Sequence, residues 1–310
     1  MKTSTRKHLN WLFTILILTV TLPAGYFLYG HRNSADTSWV KDMGYQKEDL
    51  HSLTFNRRGK RSVPLIPVAV GGQQFPVIFD TGCGTGISFT NAIEQEIEFT
   101  LESKVESLNR DGSHRGWSKS VRIPQVNVFG DVFENVSTTI SDWSMYSSHP
   151  FNGLIGLEYF NDKIITLDYK ARKIAVKGKP LVYKSLNEEH YTILPLSWSD
   201  TPGQTYLPFF LAELNNEPVM VYLDTGKNHS YIYNPTSPHS ILNKPRHFTN
   251  SSIQVGGHQW PLKNVVEVHD MAQSDGLPYP TRAELNSDQL WKLGLVVTFD
   301  MQENKIIFRK

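Results

Sequence analysis

The chain has 310 residues, a formal net charge of +1 and a single cysteine, Cys83. A charge so close to zero removes the general electrostatic case for nucleic acid, which needs a concentrated basic surface. One cysteine excludes an intramolecular disulfide framework, and the length allows one or two domains with ample material for a core.

Residues 1–30 read as an N-terminal membrane anchor. Lys2, Arg6 and Lys7 precede an uncharged run from Trp11 to Gly30, about the 20 residues a helix needs to cross the hydrocarbon core. Basic residues on the short side predict that this end stays cytoplasmic and the rest is exported, to a periplasm or the cell exterior. No Ala-x-Ala-like site follows at the right distance, so an uncleaved anchor is preferred over a cleaved signal peptide. Residues 31–61 are charged and weakly periodic, and the expectation is a tether with little fixed structure.

Residues 62–180 form the first expected folded unit. Two apolar runs flank Gly71-Gly72, a pair suited to the positive φ angles of a tight hairpin, and the second run ends in Asp80-Thr81-Gly82. Residues Lys104 to Ile123 are polar at the centre, with flanks that can pair, and predict a hairpin with a long tip. Gly112 and Trp117 are its candidate flap residues; a surface hairpin with one aromatic anchor is the plainer alternative. Strands are expected at Gln125–Val128 and Asn135–Ile140, followed by the apolar element Gly153-Leu-Ile-Gly156 and a hairpin from Ile164 to Val176. A polar linker is placed at 181–192.

Residues 193–310 repeat the plan. The segment Leu207–Leu223 lies over Val63–Phe79 without a gap, with Asn215-Asn216 over Gly71-Gly72, and it ends in Asp224-Thr225-Gly226, 144 residues after the first such tripeptide. A given tripeptide of this kind occurs by chance in roughly one chain of this length in fifteen, so the match of the flanks decides that the two are related. Ile253–Val268 resembles Val126–Ile140, and Val297–Phe308 resembles Ile165–Val176. The first half carries about fifteen extra residues near the proposed hairpin tip, and internal duplication is the simplest account.

An Asp that ends a buried strand is costly unless its charge is used, and two in matching frames suggest carboxylates meant to meet. Two short β units with an Asp-Thr-Gly each resemble the aspartic peptidases of the pepsin and retropepsin type. Asp80-Thr-Gly-Cys-Gly-Thr-Gly-Ile and Gly153-Leu-Ile-Gly156 look closest to the bacterial, retropepsin-like branch. The resemblance implies an all-β fold of two similar barrel-like lobes forming a pseudo-dimer within one chain, complete as a monomer, with a polypeptide substrate and no cofactor. It implies Asp80 and Asp224 as catalytic residues, with Thr81, Gly82, Thr225 and Gly226 as loop supports. The implied activity is endopeptidase action on exported or membrane-associated proteins. A membrane-tethered peptide-binding module that kept the fold and lost activity is the alternative.

This chain departs from the family pattern after each glycine. Cys83 and Lys227 stand where Ser, Thr or Ala is usual, and both are candidate modulators of the pair. A thiol is a weak donor. A lysine aimed at the carboxylates would favour their ionised forms, but Lys227 is expected to point to solvent, since lysine keeps its ammonium wet. The second half has no clean copy of Gly153-Leu-Ile-Gly156, and Asp275-Gly-Leu-Pro-Tyr279 is its nearest expected counterpart. Gly82-Cys-Gly-Thr-Gly86 lacks the βαβ context of a dinucleotide loop. No His-Glu-x-x-His occurs and the cysteine has no partner set, so no metal is expected. The absence of Gly-x-Ser-x-Gly argues against a serine hydrolase.

Overall fold

The computed structural model describes residues 35–57, 60–84, 86–108, 114–142, 151–241 and 247–310. The chain divides into Met1–Trp39 and Val40–Lys310. The expected anchor at 1–30 lies outside the described residues, and among the described residues no helix is long and apolar enough to cross a membrane.

The remainder is β-rich. β1 (Leu50–Ser52), β2 (Thr54–Arg57), β3 (Lys60–Val70), β4 (Gln73–Phe79) and β5 (Ile87–Thr90) lead into a long hairpin of β6 (Thr100–Leu108) and β7 (His114–Val128). β8 (Asp131–Ser141), β9 (Gly153–Ile155), β10 (Ile164–Asp168) and β11 (Lys173–Lys177) complete the first half. The second half carries β12 (Tyr191–Pro195), β13 (Phe209–Leu214), β14 (Glu217–Leu223), β15 (Tyr231–Tyr233), β16 (Thr249–Val255), β17 (His258–Val268) and β18 (Thr281–Leu285). Helix α1 (Ser287–Leu293) then precedes β19 (Val296–Asp300) and β20 (Lys305–Arg309).

The two predicted hairpins form as their turn residues dictate. Gly71 and Gly72 have φ of 59° and 84°, and Asn215 and Asn216 have φ of 56° and 66°, the left-handed pair that lets a two-residue turn follow the strand twist. Val70 faces Gln73 and Leu214 faces Glu217 across them. Alternation then sends Phe75, Val77 and Phe79 of β4, and Val219, Val221 and Leu223 of β14, into the core.

In the second half β13-β14-β18-β15-β17-β16 close into a barrel. In the first half the order is β2-β3-β4-β9-β5-β8-β7-β6, and pairing of β3 with β7 closes the inner six strands in the equivalent order. The sense of pairing matches too. β9 runs parallel to β4 and antiparallel to β5, as β18 does to β14 and β15. β5 runs parallel to β8 as β15 does to β17. Asn135 and Asn264, matched in the sequence, are both left-handed, with φ of 54° and 56°.

Two sequence expectations are corrected. The 31–61 tether is not free of structure: β1 pairs with β11 and β2 with β3, so the chain is tied into sheets from Leu50 on. The linker at 181–192 ends early, since Tyr191 and Thr192 already lie in β12, paired with β20. One sheet draws its strands from both 62–180 and 193–310. The terminal hairpins of both halves join in one six-stranded sheet, β1-β11-β10-β19-β20-β12. At its centre Thr166 faces Thr298, their hydroxyls 2.6 Å apart. Sequence periodicity could not show this, because strands buried throughout, such as β10 and β19, carry no alternation that names a partner.

Candidate active site

Asp80 follows the last residue of β4 and Asp224 the last residue of β14. Each backbone N–H is held by the strand alongside: Asp80 donates to the Ile155 carbonyl at 2.9 Å and Asp224 to the Leu285 carbonyl at 2.8 Å. The loops then turn back, and the Gly82 N–H donates to Asp80 Oδ1 at 2.8 Å while the Gly226 N–H donates to Asp224 Oδ1 at 3.0 Å.

The threonines lock the loops to each other. Thr81 Oγ1 donates to the Leu223 carbonyl, and Thr225 Oγ1 donates to the Phe79 carbonyl, both at 2.6 Å. Each hydroxyl also accepts the other threonine's N–H at 3.0 Å. Both side chains are fully buried, so these bonds satisfy groups that water cannot reach. The glycines make the approach sterically feasible. A Cβ on Gly82 would lie 2.6 Å from Asp224 Oδ2, and one on Gly226 would collide with the Asp80 carboxyl.

The lock sets the two carboxyl groups close together, each against the glycine of the opposite loop. Two like charges so near each other in a buried site disfavour ionisation of both carboxyls. Burial, and then the charge of Asp224, push Asp80 well above the usual carboxylate range. Burial also raises Asp224, against the opposing charge of Lys227. The Tyr222 phenol, next along β14, is pushed well up by burial and then by Asp224, Asp80 and Glu284. The pair can therefore offer an acid and a base at the same pH.

The neighbours of the pair differ from expectation. Cys83 is buried and its thiol donates to the Gly86 carbonyl at 3.6 Å. Lys227 does not simply point to solvent: its Nζ forms an ion pair with Glu284 Oε1 at 2.6 Å and lies 5.6 Å from the Tyr231 ring centre. Burying a carboxylate in β18 requires a counter-charge, and Lys227 is within reach. Burial pushes Glu284 up to about 7, with Lys227 opposing.

Glu284 also identifies the true counterpart of Gly153-Leu-Ile-Gly156. Leu154 faces Ile78 and Ile155 faces Phe79, while Glu284 faces Tyr222 and Leu285 faces Leu223. The matching element is thus Ala283-Glu284-Leu285-Asn286, and Asp275–Tyr279 is not it. A spacing signal existed in the sequence. Gly156 lies twelve residues before Asp168 and Asn286 fourteen before Asp300, whereas Asp275 is much too early. Substitution of both glycines and a charge in an apolar run concealed it. Asn286 accepts the Gln289 N–H at the start of α1 and the Ser230 hydroxyl at 2.9 Å. Ser287 Oγ donates to the Thr225 carbonyl at 3.0 Å, so the N-terminus of α1 supports the second loop from behind.

The predicted long hairpin is present as β6 and β7, and it accounts for the extra length of the first half. Trp117 faces Glu106 across it, with Lys104 Nζ 4.7 Å from its ring centre, and is 47% exposed. The tip, including Gly112, lies outside the described residues. A separate pocket of about 180 Å³, walled by Trp260, Lys263, Lys292 and Phe308 among others, contains none of the loop residues. Among the described residues no group of three or more His, Cys, Asp or Glu is arranged to hold a metal ion.

No protein-family model matches the chain, and no curated protein matches it either. The functional reading therefore rests on the site.

Proposed function

We propose that this chain is an aspartic endopeptidase of the pepsin and retropepsin-like type, built as a pseudo-dimer of two lobes and active as a monomer. The observation that carries the reading is the reciprocal threonine lock, which sets the carboxyl groups of Asp80 and Asp224 each against the glycine of the other's loop. The matching strand orders of the two halves support descent of both loops from one unit.

Two buried carboxyl groups in close approach resist ionising together, and in this reading they share one proton. The ionised member takes a proton from a water molecule as its oxygen bonds to the peptide carbonyl carbon. The neutral member gives its proton to the carbonyl oxygen, producing a gem-diol. The newly protonated aspartate then gives its proton to the amide nitrogen while the ionised one takes a proton from a gem-diol hydroxyl, so the C–N bond breaks to an acid and an amine and the pair again holds one proton. The glycine N–H groups hold each carboxylate in place during the exchange.

The polypeptide substrate is an exported or membrane-associated protein, reached from a single N-terminal anchor with its N-terminus cytoplasmic. The sequence pattern of residues 1–30 supports that location. The deciding experiment incubates the full-length chain in mild detergent with an unstructured peptide library. Cleavage is expected in wild type and its loss, by at least about 1,000-fold, in Asp80→Asn and in Asp224→Asn. Equal peptide binding by all three proteins without cleavage would instead establish the binding module.

A further inference from the structure

The pair of Lys227 and Glu284 has no counterpart in the first half. In the register of the two barrels, Glu284 takes the place of Leu154, Tyr222 that of Ile78, and Tyr231 that of Ser88. Lys227 takes the place of Cys83, three residues after its aspartate. Of the apolar cluster in the first half, Val63 and Leu65 keep apolar counterparts in Leu207 and Phe209, whereas Leu154 gives way to Glu284, which is only 5% exposed. Replacing a partly buried leucine by a buried carboxylate is not a route to stability, so the substitution points to another use.

Resting on the endopeptidase reading above, we propose that Lys227 and Glu284 act as a charge governor for the two aspartates. The ion pair stands one strand from the reacting carboxyls, and its net charge changes with acidity so as to widen the range over which Asp80 and Asp224 hold one proton between them. Lys227 and Glu284 are positioning residues in this scheme and touch no substrate.

The groups that face Lys227 are Glu284 on β18, Asp224 at the end of β14, Tyr231 on β15 and, across the interface, Asp80 at the end of β4. Glu284 faces Lys227, Asp224, Tyr222 and Tyr231. In acid, Glu284 takes up a proton and leaves the Lys227 charge uncompensated. That positive charge opposes protonation of the remaining aspartate carboxylate, so the working state survives to lower pH. In base, Glu284 is ionised and cancels Lys227. Its negative charge then opposes removal of the shared proton, so the working state survives to higher pH. Each half of the cycle protects one limb.

The test is a titration of the full-length chain carrying ¹³C-carboxyl aspartate, in wild type, Lys227→Met, Lys227→Arg and Glu284→Gln. Lys227→Met should raise the lower midpoint of the aspartate pair by about one pH unit, and Lys227→Arg should restore it. Glu284→Gln should lower the upper midpoint by a similar amount. The limbs of the kcat/KM profile should move in the same directions. Midpoints that stay within about 0.2 unit of wild type in both Lys227→Met and Glu284→Gln would overturn the proposal; that margin is small beside the shift a close charge causes. If Lys227→Met does not fold, the near-isosteric Glu284→Gln decides alone. The titration needs no turnover, so shifted midpoints without peptide cleavage would sink the enzyme reading and leave the governor standing. Cleavage with unmoved midpoints would do the reverse.

Discussion

The two halves share a backbone and differ in what surrounds the carboxyl groups. Around Asp80 stand Ile78, Leu154 and the buried thiol of Cys83; around Asp224 stand Tyr222, Glu284 and Lys227. The bonds that fix the aspartates are nonetheless paired one for one: strand carbonyl to N–H, glycine N–H to carboxylate, threonine to threonine. Position is thus set by main chain, threonine and glycine, which tolerate no variation. Charge is set by the residues around them, which can diverge between halves.

Equal geometry in unequal surroundings can be broken most severely at the glycines. Gly82→Ala and Gly226→Ala each drive a methyl into the opposite carboxyl group. Each should cut peptide cleavage by about 100-fold or more, since displacement of about 1 Å at a reacting centre costs that much. The damage should be alike in both, because each glycine crowds the aspartate of the other half. A variant in only one half that kept full kcat/KM would show that the halves are not equivalent in geometry.

Loss of the cross-bonds comes next. Thr81→Val and Thr225→Val keep the shape but leave a buried carbonyl and a buried N–H without partners. Urea unfolding should show each destabilised by about 2–3 kcal/mol, again by similar amounts. The double variant should cost less than the two together, because both hydroxyls belong to one network.

The repeated tripeptides, the hairpin turns and the β-rich class were legible in the sequence because each rests on local chemistry. Asn215-Asn216 announces its turn as clearly as Gly71-Gly72 does. The shared six-stranded sheet was not legible, since Thr166 and Thr298 meet across 132 residues and nothing local names the partner. Glu284 was missed for a different reason. Its role depends on Lys227, and a lysine that normally stays in water gave no hint that a carboxylate lay buried beside it. The same buried pair masked the second half's copy of Gly153-Leu-Ile-Gly156.

The charged surroundings of Asp224 should also appear in stability. Glu284 in the folded state is raised to about 7, while in the unfolded chain a glutamate titrates near its ordinary value of about 4.3. The folded state therefore holds the proton more tightly. Its stability advantage is full below about pH 4 and is lost as pH rises towards 7. In Glu284→Gln the fall in unfolding free energy between pH 4 and pH 8 should shrink by on the order of 3 kcal/mol. Asp80 and Asp224, raised in the same direction, contribute to the slope that remains. An unchanged slope would mean that Glu284 titrates alike in the folded and the unfolded chain.

The smallest effect separates the supports behind the two loops. Gly156 packs against the Cys83 carbonyl so closely that a Cβ there would collide with it, so the first half needs a glycine. The second half has room for Asn286, which uses its side chain to cap α1 and to bind Ser230. Asn286→Ala should therefore lower stability by about 1 kcal/mol, the usual cost of an N-cap. Because α1 also presents Ser287 to the Thr225 carbonyl, fraying of its first turn should loosen the Asp224 loop and leave the Asp80 loop unchanged. Amide hydrogen exchange can read this directly. Faster exchange at Gly226 than at Gly82 is expected in the variant, and equal acceleration at both would show that the threonine lock, and not α1, carries the second loop.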